Sequence, residues 1–336
     1  MQSINRKKLL KELESVKKGL ASKDLIEQST SFIFTQNKIV TYNDEIFAMS
    51  PTELELEGVV SAEPLLKLLN KITDEEITIT EHETEIQIKG KKFSSGITFD
   101  SEIKLPIDDA KTPKKMKPLP NNFTLLAKLA CLTASSSLHE PLLTCVHIYE
   151  DKIESCDNDR ITICNLDADF KFNVIVPAKN LYDLCDADLT HIAVDDAWIH
   201  FKTSDDVYLA TRLYNEKFLD VQQFIPSVEE KTVITFPDNT AEILARADIF
   251  SKDITSQEKN VQIHVQKKKM KVISRNETGW FTETIDTKCK EKFDFTINLE
   301  FLTDILKITN EISLIGNTLF FETENSIHLV QLDEEN

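Results

Sequence analysis

Residues 59–90 read VVSAEPLLKLLNKITDEEITITEHETEIQIKG, a short extended segment that enters a helix and continues into two alternating strands. The same order recurs in VIVPAKNLYDLCDADLTHIAVDDAWIHFKT from Val174 and in FTINLEFLTDILKITNEISLIGNTLFFET from Phe295. When Ser61, Pro177 and Asn298 are superposed, two further sets align: Leu65, Leu181 and Leu302, and Leu68, Leu184 and Ile305. Self-similarity at spacings of 116 (177 − 61) and 121 (298 − 177) residues predicts three copies of one unit.

Each unit also has an earlier half that consists of a helix and a hairpin. The helices are expected over roughly 5–20, 122–134 and 239–251, and the hairpins in NKIVTYNDEIFAM, DKIESCDNDRITIC and KKMKVISRNETGWFTETI. Period-two alternation, such as Ile77-Ile79 and Ile86-Ile88, predicts half-buried strands. The predicted fold class is therefore α+β, with three tandem repeats that each place two helices on an antiparallel sheet.

Two polar segments separate the repeats. They are DDAKTPKKMKPLP (108–120) and QQFIPSVEEK (222–231), whose lysine, proline and polar content is typical of linkers. We therefore predict three domains, over residues 1–116, 117–228 and 229–336.

The composition fits a globular protein, with 41% hydrophobic residues in a chain of 336. No apolar run approaches the ~18 residues that span a bilayer, and the N-terminus lacks the apolar core of an export signal, which predicts a cytoplasmic location. The six cysteines lie in apolar stretches without Cys-x-x-Cys spacing and are expected to be buried, reduced thiols: Cys131, Cys145, Cys156, Cys164, Cys185 and Cys289.

The net charge of −18 argues at first against a nucleic-acid partner, but the charge is segregated. Between Asn5 and Lys23, seven basic residues stand against two glutamates, a local charge of +5 (7 − 2). The predicted apolar stripes are Leu9, Leu13, Val16 and Leu20 in the first helix, and Leu65, Leu68, Leu69 and Ile72 in the second. The lysines on the opposite faces are predicted to meet DNA: Lys7, Lys11, Lys18, Lys67 and Lys71, with Lys128 and Arg246 on later helices. The alternative is an ordinary solvated helix face.

Enzyme chemistry finds little support in the sequence. The six glycines form neither a phosphate loop nor a dinucleotide fingerprint, and there is no His-Glu-x-x-His metal motif. Asp195-Asp196 and Asp205-Asp206 could suggest a metal nuclease, but they flank predicted strands, where aspartate favours turns. We therefore expect no catalytic residue, metal or cofactor. Two alternatives stay open: a hydrolase that uses these aspartates, and an acidic repeat scaffold that binds proteins without encircling DNA.

Three short motifs carry a resemblance to a known family. Cys156-Asp157-Asn158-Asp159-Arg160-Ile161 is similar to a T-D-G-H-R-L strand turn, Phe218-Leu219-Asp220 to a Y-P-D, and the segment 245–250, ARADIF, to an A-R-A-A-I-L. In this order, on a triplicated two-helix unit, they resemble the bacterial type of DNA polymerase sliding clamp, the polymerase III beta subunit and its phage relatives. The resemblance covers essentially the whole chain.

The resemblance implies the DNA-clamp fold, with a curved sheet in each repeat, and a function in DNA replication. Two subunits would join head to tail into a homodimeric ring of six units, with helices lining the hole and sheets outside. Such a clamp would hold double-stranded DNA without reading its sequence and would tether a DNA polymerase and a clamp loader. Three further DNA-contacting positions follow from the resemblance: Lys23, Ser137 and Leu142.

The resemblance also implies a hydrophobic cleft for partner peptides and a dimer seam. The matching cleft positions are Leu143, Cys156, Asn158, Asp159, Arg160, Ile161, Leu219, Gln223, Phe224, Leu329, Val330 and Leu332. Considered alone, Leu143 and Ile161 also fit ordinary strand core. The matching seam positions are Ile249 and Phe250.

The sequence departs from the family at each of these sites. The family's terminal M-P-M-R-L is replaced by the segment 328–332, HLVQL, and an acidic tail, Asp333-Glu334-Glu335-Asn336, follows. On the other side of the seam, the family's apolar pair aligns with Asp100 and Glu102.

Overall fold

The computed structural model of the chain describes residues 1–108, 110, 112–226, 232–252, 259–289 and 292–332. Within these residues the chain forms helices and antiparallel sheets, which confirms the α+β fold class. The helices are α1 (Arg6–Val16), α2 (Ala62–Lys71), α3 (Phe123–Cys131), α4 (Ala178–Leu184), α5 (Thr240–Ala247) and α6 (Leu299–Leu306). They pack in pairs, α1 with α2, α3 with α4 and α5 with α6, as expected for three repeats of a two-helix unit.

The strands form three sheets. The first has twelve strands, in the spatial order β1 (Gln2–Asn5), β6 (Glu76–Glu81), β7 (Glu85–Lys89), β8 (Ser94–Asp100), β5 (Gly58–Ser61), β2 (Ser31–Thr35), β3 (Lys38–Tyr42), β4 (Ile46–Pro51), β14 (Tyr208–Arg212), β13 (Trp198–Thr203), β12 (Leu189–Val194) and β9 (Lys117–Pro118). The second has six, in the order β10 (Cys145–Cys156), β11 (Arg160–Pro177), β22 (Ser326–Gln331), β21 (Thr318–Glu322), β20 (Glu311–Ile315) and β15 (Thr232–Thr235). The third has four, in the order β18 (Gly279–Asp286), β17 (Lys269–Asn276), β16 (Asn260–Gln266) and β19 (Phe293–Asn298).

The chain divides into two compact units. The first unit comprises Met1–Cys131, His147–Asp151 and Asp167–Glu216, and it contains the twelve-stranded sheet with α1 to α4. The second unit comprises Leu132–Val146, Lys152–Leu166 and the chain from Lys217 onward, and it contains the four-stranded sheet with α5 and α6. The pairing of Ala48 with Leu209 joins strands of the first two predicted domains in one sheet. The three-domain division stays a prediction, and its second boundary, 228/229, lies outside the described residues.

The second helix of each repeat begins at the position that the sequence alignment superposed. Ser61, Pro177 and Asn298 are the N-cap residues of α2, α4 and α6. The aligned Leu65, Leu181 and Leu302 are all buried on their helices. Asn298 accepts a hydrogen bond from the Glu300 amide at 2.9 Å, which satisfies one of the free N–H groups of the first turn.

Two predicted apolar stripes differ in detail from the structure. Leu9, Leu13 and Val16 are buried, but α1 ends at Val16, so Leu20 lies beyond the helix and is only partly buried. The Thr41 hydroxyl donates to the Val16 carbonyl at 2.5 Å, and a Cβ on Gly19 would lie 2.3 Å from Thr41 Oγ1. This close approach of β3 ends the helix.

On α2, the buried residues are Leu65, Leu66 and Leu69, whereas the predicted Leu68 and Ile72 are only partly buried. The apolar face is therefore rotated from the predicted one. The sequence analysis did not select Leu66, because leucine occupies four of the five positions 65–69 and more than one face of the helix is therefore apolar.

The six cysteines, all within the described residues, form no disulfide, and all but Cys131 are buried. No helix in the described part of the chain is long and apolar enough to cross a bilayer.

Candidate functional site

The second unit contains a pocket of about 370 Å³ at the turn between β10 and β11. Its lining comes from a 3-10 turn before β10, the β10–β11 turn, strands β11, β21 and β22, and the segment around a 3-10 turn over Val221–Phe224. The lining residues are Leu143, Cys156, Asp157, Asn158, Asp159, Arg160, Ile161, Leu219, Phe224, Thr318, Leu329 and Gln331. Most of the positions expected from the sequence therefore come together around one pocket.

Strand register explains which of the predicted residues reach the pocket. Ile161 stands directly opposite Leu329, and both line the pocket. Val330 and Leu332 are buried in the apolar core of the second unit and do not line the pocket. Side chains alternate between the faces of a strand, so Leu329 and Gln331 share one face while Val330 points to the other. Gln331 was missed in the sequence, although the same period of two places it beside Leu329.

Gln223 also lies away from the pocket lining, because its side-chain amide donates to the Asp220 carbonyl at 2.9 Å. Asp220 begins the 3-10 turn by accepting a hydrogen bond from the Gln222 amide at 3.2 Å. This turn leaves Leu219 43% exposed and Phe224 59% exposed at the pocket. Exposed large apolar side chains beside a pocket are typical of peptide-binding surfaces.

Asp157, which the sequence analysis did not select, organises the β10–β11 turn. Its Oδ1 accepts hydrogen bonds from the amides of Asp159 at 2.9 Å and Arg160 at 2.7 Å. Its Oδ2 accepts from Arg160 Nε at 2.8 Å and pairs with Arg160 Nη2 at 2.7 Å. An aspartate that accepts bonds from amides two and three residues ahead is a recognised turn pattern, and this signal could have identified it.

The Arg160 guanidinium is held on both sides. Besides Asp157, it lies 3.8 Å from the centroid of the Phe301 ring on α6, an arrangement that favours the cation. Its position on β11 is opposite Val330, whose side chain is in the core. Arg160 therefore shapes the wall of the pocket with a side chain that is already engaged.

The Cys156 thiol stays protonated in this setting. Burial, together with the charges of Asp157 and Glu154, raises the pKa of Cys156 to about 11. Because the thiolate is the nucleophilic form, this cysteine contributes an apolar wall to the pocket. The acidic tail, 333–336, lies outside the described residues.

In the first unit, five of the seven predicted DNA-facing cations form two groups. Lys23, Lys67 and Lys71, together with Lys17, line a cavity of about 840 Å³ between the end of α1 and α2. Lys67 pairs with Glu63 one turn earlier on α2. Within the described part of the chain, Lys7, Lys23 and Lys71 are exposed and make no ion pair. These three are therefore the most available cations of the set.

The second group converges on Asp186. Lys18 lies 2.7 Å and Lys128 2.8 Å from its carboxylate oxygens, and Lys18 also donates to the Asp183 carbonyl. Hydrogen bonds from Lys128 and Lys18 lower the pKa of Asp186 to about 2, so the carboxylate is charged at neutral pH. Lys11 similarly pairs with Asp205 at 2.7 Å.

The remaining predicted DNA-facing residues lie in the second unit. Arg246 on α5 makes a bidentate pair with Glu283 at 2.9 and 2.8 Å. The Ser137 amide donates to Ser135 Oγ at 3.0 Å, and Leu142 is partly buried in the 3-10 turn before β10. The exposed apolar side chain of this loop is Leu138.

The predicted seam residues follow α5 in a 3-10 turn. Ile249 is 69% exposed, and the Phe250 ring lies against Gly279, where an added Cβ would approach it to 2.8 Å. In the first unit, Asp100 and Glu102 are exposed, as their alignment with seam positions requires.

The paired aspartates are parts of turns. Asp195 accepts hydrogen bonds from the amides of Ala197 at 2.9 Å and Trp198 at 2.8 Å, and its other oxygen lies 2.9 Å from His200 Nε2. His200 is fully buried and also contacts the Tyr208 hydroxyl. Among the described residues, no group of three or more His, Cys, Asp and Glu side chains is arranged to hold a metal ion.

No protein-family model matches the sequence, and no curated protein does either. Solved structures do match. A putative DNA polymerase III beta subunit from Eubacterium rectale is 18% identical over 99% of each chain, with a TM-score of 0.80. The DNA polymerase III beta chain from Streptococcus pneumoniae is 19% identical over 99% of each chain, with a TM-score of 0.82. A DnaN sliding clamp from Bartonella birtlesii bound to griselimycin is 15% identical over 99% of each chain, with a TM-score of 0.83. The chain therefore has the fold of the polymerase III beta subunits along its whole length, which confirms the predicted fold.

Proposed function

We propose that the chain is a DNA sliding clamp, a non-catalytic processivity factor that encircles double-stranded DNA. The observation that carries the proposal is the match in fold to the beta subunits over 99% of both chains. In this proposal, two copies join head to tail around the duplex. The ring tethers a DNA polymerase and is opened by a clamp loader, both of which bind the apolar pocket of the second unit.

The arrangement of charge supports a DNA-holding role. Helix-borne lysines reach phosphates as point charges, and they neither offer planar donor pairs to base edges nor require a given sequence. Because retention comes from a closed ring, affinity for each phosphate can be low. The chain as a whole has a net charge of −18, which disfavours DNA over much of the surface outside these basic patches.

The pocket supports peptide recognition. Leu143, Ile161 and Leu329 form apolar walls, while Leu219 and Phe224 stand exposed at the same pocket. The charges of Asp157 and Arg160 offset each other in an ion pair, so Asp159 gives the lining a net negative charge. The expected ligand is a short partner peptide with aliphatic and aromatic anchors next to Lys or Arg.

The decisive experiment measures retention of the loaded protein on circular and linear DNA. A clamp stays on a closed circle or on a linear duplex with blocked ends and runs off a linear duplex with free ends, whereas an acidic scaffold shows no dependence on topology. The triple variant Lys7→Glu/Lys23→Glu/Lys71→Glu should fold normally, since exposed charges contribute little to stability, and should lose retention at least tenfold.

The matched control is Lys89→Glu/Lys91→Glu/Lys92→Glu. This control makes the same change in charge as the triple variant. Its three residues are exposed and lie on β7 or just after it, whereas those of the triple variant lie on α1, on α2 and in the loop after α1. Equal losses in both variants would contradict a helix-lined hole. Equal retention of the wild type on circular and linear DNA would reject the clamp.

A further inference from the structure

The four-stranded sheet of the second unit has one face in the core and one in solvent. Val261, Ile263, Val265, Met270 and Val272 are buried on the core face. Most of the alternating positions are exposed, and His264, Ile273 and Thr296 are partly buried. On β17 and β18 the exposed positions are Lys269, Lys271, Arg275, Trp280, Thr282, Thr284 and Asp286.

This solvent face is basic in an acidic protein. Lys267 and Lys268 form the β16–β17 turn with positive φ angles of 53° and 63°, and Lys269, Lys271 and Arg275 follow on β17. In the described part of the chain, these five cations make no ion pair. Two carboxylates share the face: Asp286 stands opposite Lys269, and Asp294 is held by His264 at 2.8 Å. With the exposed Glu277 of the β17–β18 turn included, the local charge is +2 (5 − 3), against −18 for the chain.

Trp280 stands on the same face. Its side chain is 64% exposed, and it lies directly opposite Arg275 in the β17–β18 register. Its chain neighbours Gly279 and Phe281 point to the other side of the sheet, where the Phe250 ring covers Gly279. The proposed seam residue Phe250 and Trp280 therefore belong to opposite faces of β18.

We propose that this face binds single-stranded nucleic acid, with a base stacked on the Trp280 indole and phosphates on Arg275, Lys271 and Lys269. The three cations lie on one face of β17, two and four residues apart, so an extended backbone can run along them. Single strands expose the faces of their bases, and aromatic stacking on them is independent of sequence. In a duplex those faces are covered by neighbouring bases. An acidic peptide would satisfy the cations but would leave the indole without a stacking partner.

The protein carries its own optical probe for this contact. It has two tryptophans, and Trp198 is buried at 2% exposure while Trp280 is exposed, so quenching by an added ligand reports on Trp280. Titration with a short oligothymidylate should quench the fluorescence in a saturable way, and the affinity should fall steeply with added salt.

Two variants test the assignment by anisotropy of a labelled oligothymidylate. Trp280→Ala should weaken binding roughly tenfold, which corresponds to the loss of one stacked base. Lys269→Glu/Lys271→Glu/Arg275→Glu should weaken binding further and flatten the salt dependence. The helix variant Lys7→Glu/Lys23→Glu/Lys71→Glu should keep the Trp280 quenching, so this proposal and the clamp proposal can fail separately.

Two outcomes would overturn the proposal. One is tryptophan fluorescence that does not change with the oligonucleotide at low salt. The other is equal affinity and equal quenching with polyglutamate, which would mean that the face recognises negative charge alone and receives an acidic protein segment.

Discussion

His328 is a buried histidine next to the pocket wall. It is 3% exposed, its Nδ1 lies 2.6 Å from the Thr162 hydroxyl, and its ring stacks on Phe321 with centroids 4.6 Å apart. Burial, assisted by the positive charge of Arg160, lowers the pKa of His328 to about 4. The imidazole is therefore neutral at physiological pH.

This depressed pKa predicts that stability falls in mild acid. As the pH drops below about 6.5, the unfolded chain takes up the proton at position 328 before the folded chain does. The stabilisation is fully present above that pH and is lost progressively down to about pH 4, with a change of roughly 3 kcal/mol in the free energy of unfolding. Urea unfolding between pH 7.5 and 4.5 should show this loss, and His328→Leu should show a shallower dependence. A His139→Gln control, at an exposed site, should keep the wild-type dependence; identical slopes in all three proteins would refute the assignment.

For single residues, the sequence indicated which positions lie at the pocket better than it indicated which side chains they contact. It selected Arg160 as a cleft position, but it gave no sign that the guanidinium is engaged with Asp157 and Phe301. Phe301 lies on α6, far along the chain, and a contact of that kind leaves no mark in local spacing. Asp157 was within reach, because its turn pattern is local.

Among the elements, β22 shows that the alternation of side chains along a strand decides which residues reach the pocket. The resemblance selected Leu329, Val330 and Leu332 together, whereas the structure places Leu329 in the pocket lining and the pleat sends Val330 and Leu332 into the core. A chain ending before Leu329 would lose the second half of β22, a central strand that pairs with both β11 and β21, so truncation would test folding instead of binding. Point changes at exposed residues are the cleaner probe.

We therefore expect Leu219→Asp/Phe224→Ala to weaken binding of the partner peptide at least tenfold without loss of folding. Both side chains are substantially exposed, so their removal costs the fold little, while apolar anchors at a pocket dominate peptide affinity. Val233→Asp, at an exposed apolar residue of β15 outside the pocket lining, is the matched control. A calorimetric titration with a basic, apolar peptide gives the measurement. Wild-type affinity in the double variant would place the partner site elsewhere.

For the whole molecule, the repeat was the most informative signal. Aligning three residues in the sequence identified three helix N-caps, and the fold match extends over 99% of the chain. The charge pattern did not indicate which cations are available to bind phosphate. Four of the predicted ones each pair with a carboxylate: Lys11, Lys18, Lys128 and Arg246. Their partners come from distant segments, so sequence alone could not distinguish free lysines from paired ones.

Assembly gives the prediction at this scale. In the proposed ring, Ile249 and Phe250 seal the seam, and burial of each contributes about 1.5–3 kcal/mol. Ile249→Asp/Phe250→Asp should convert the dimer into a folded monomer, as measured by light scattering and circular dichroism. Ile249→Asp alone should weaken the dimer without disturbing the packing of Phe250 on Gly279.

Leu138→Asp is the control for this change, since it adds a charge at another exposed apolar residue of the second unit. A wild-type protein that is monomeric at micromolar concentration would count against the closed dimer.

The carboxylate of Asp186 is shared by Lys18 and Lys128. If the proposed clamp slides on DNA, this sharing would affect how easily the duplex moves past both lysines. A DNA phosphate that reaches either ammonium group would replace the Asp186 carboxylate. Binding of the phosphate would therefore gain little energy, and its release would cost little. The interaction energy between the duplex and these lysines would therefore vary less along the DNA axis than it would with unpaired cations. In the proposed clamp, one-dimensional diffusion would therefore be fast, because the acidic partners of the lysines keep the duplex from being held at any one position.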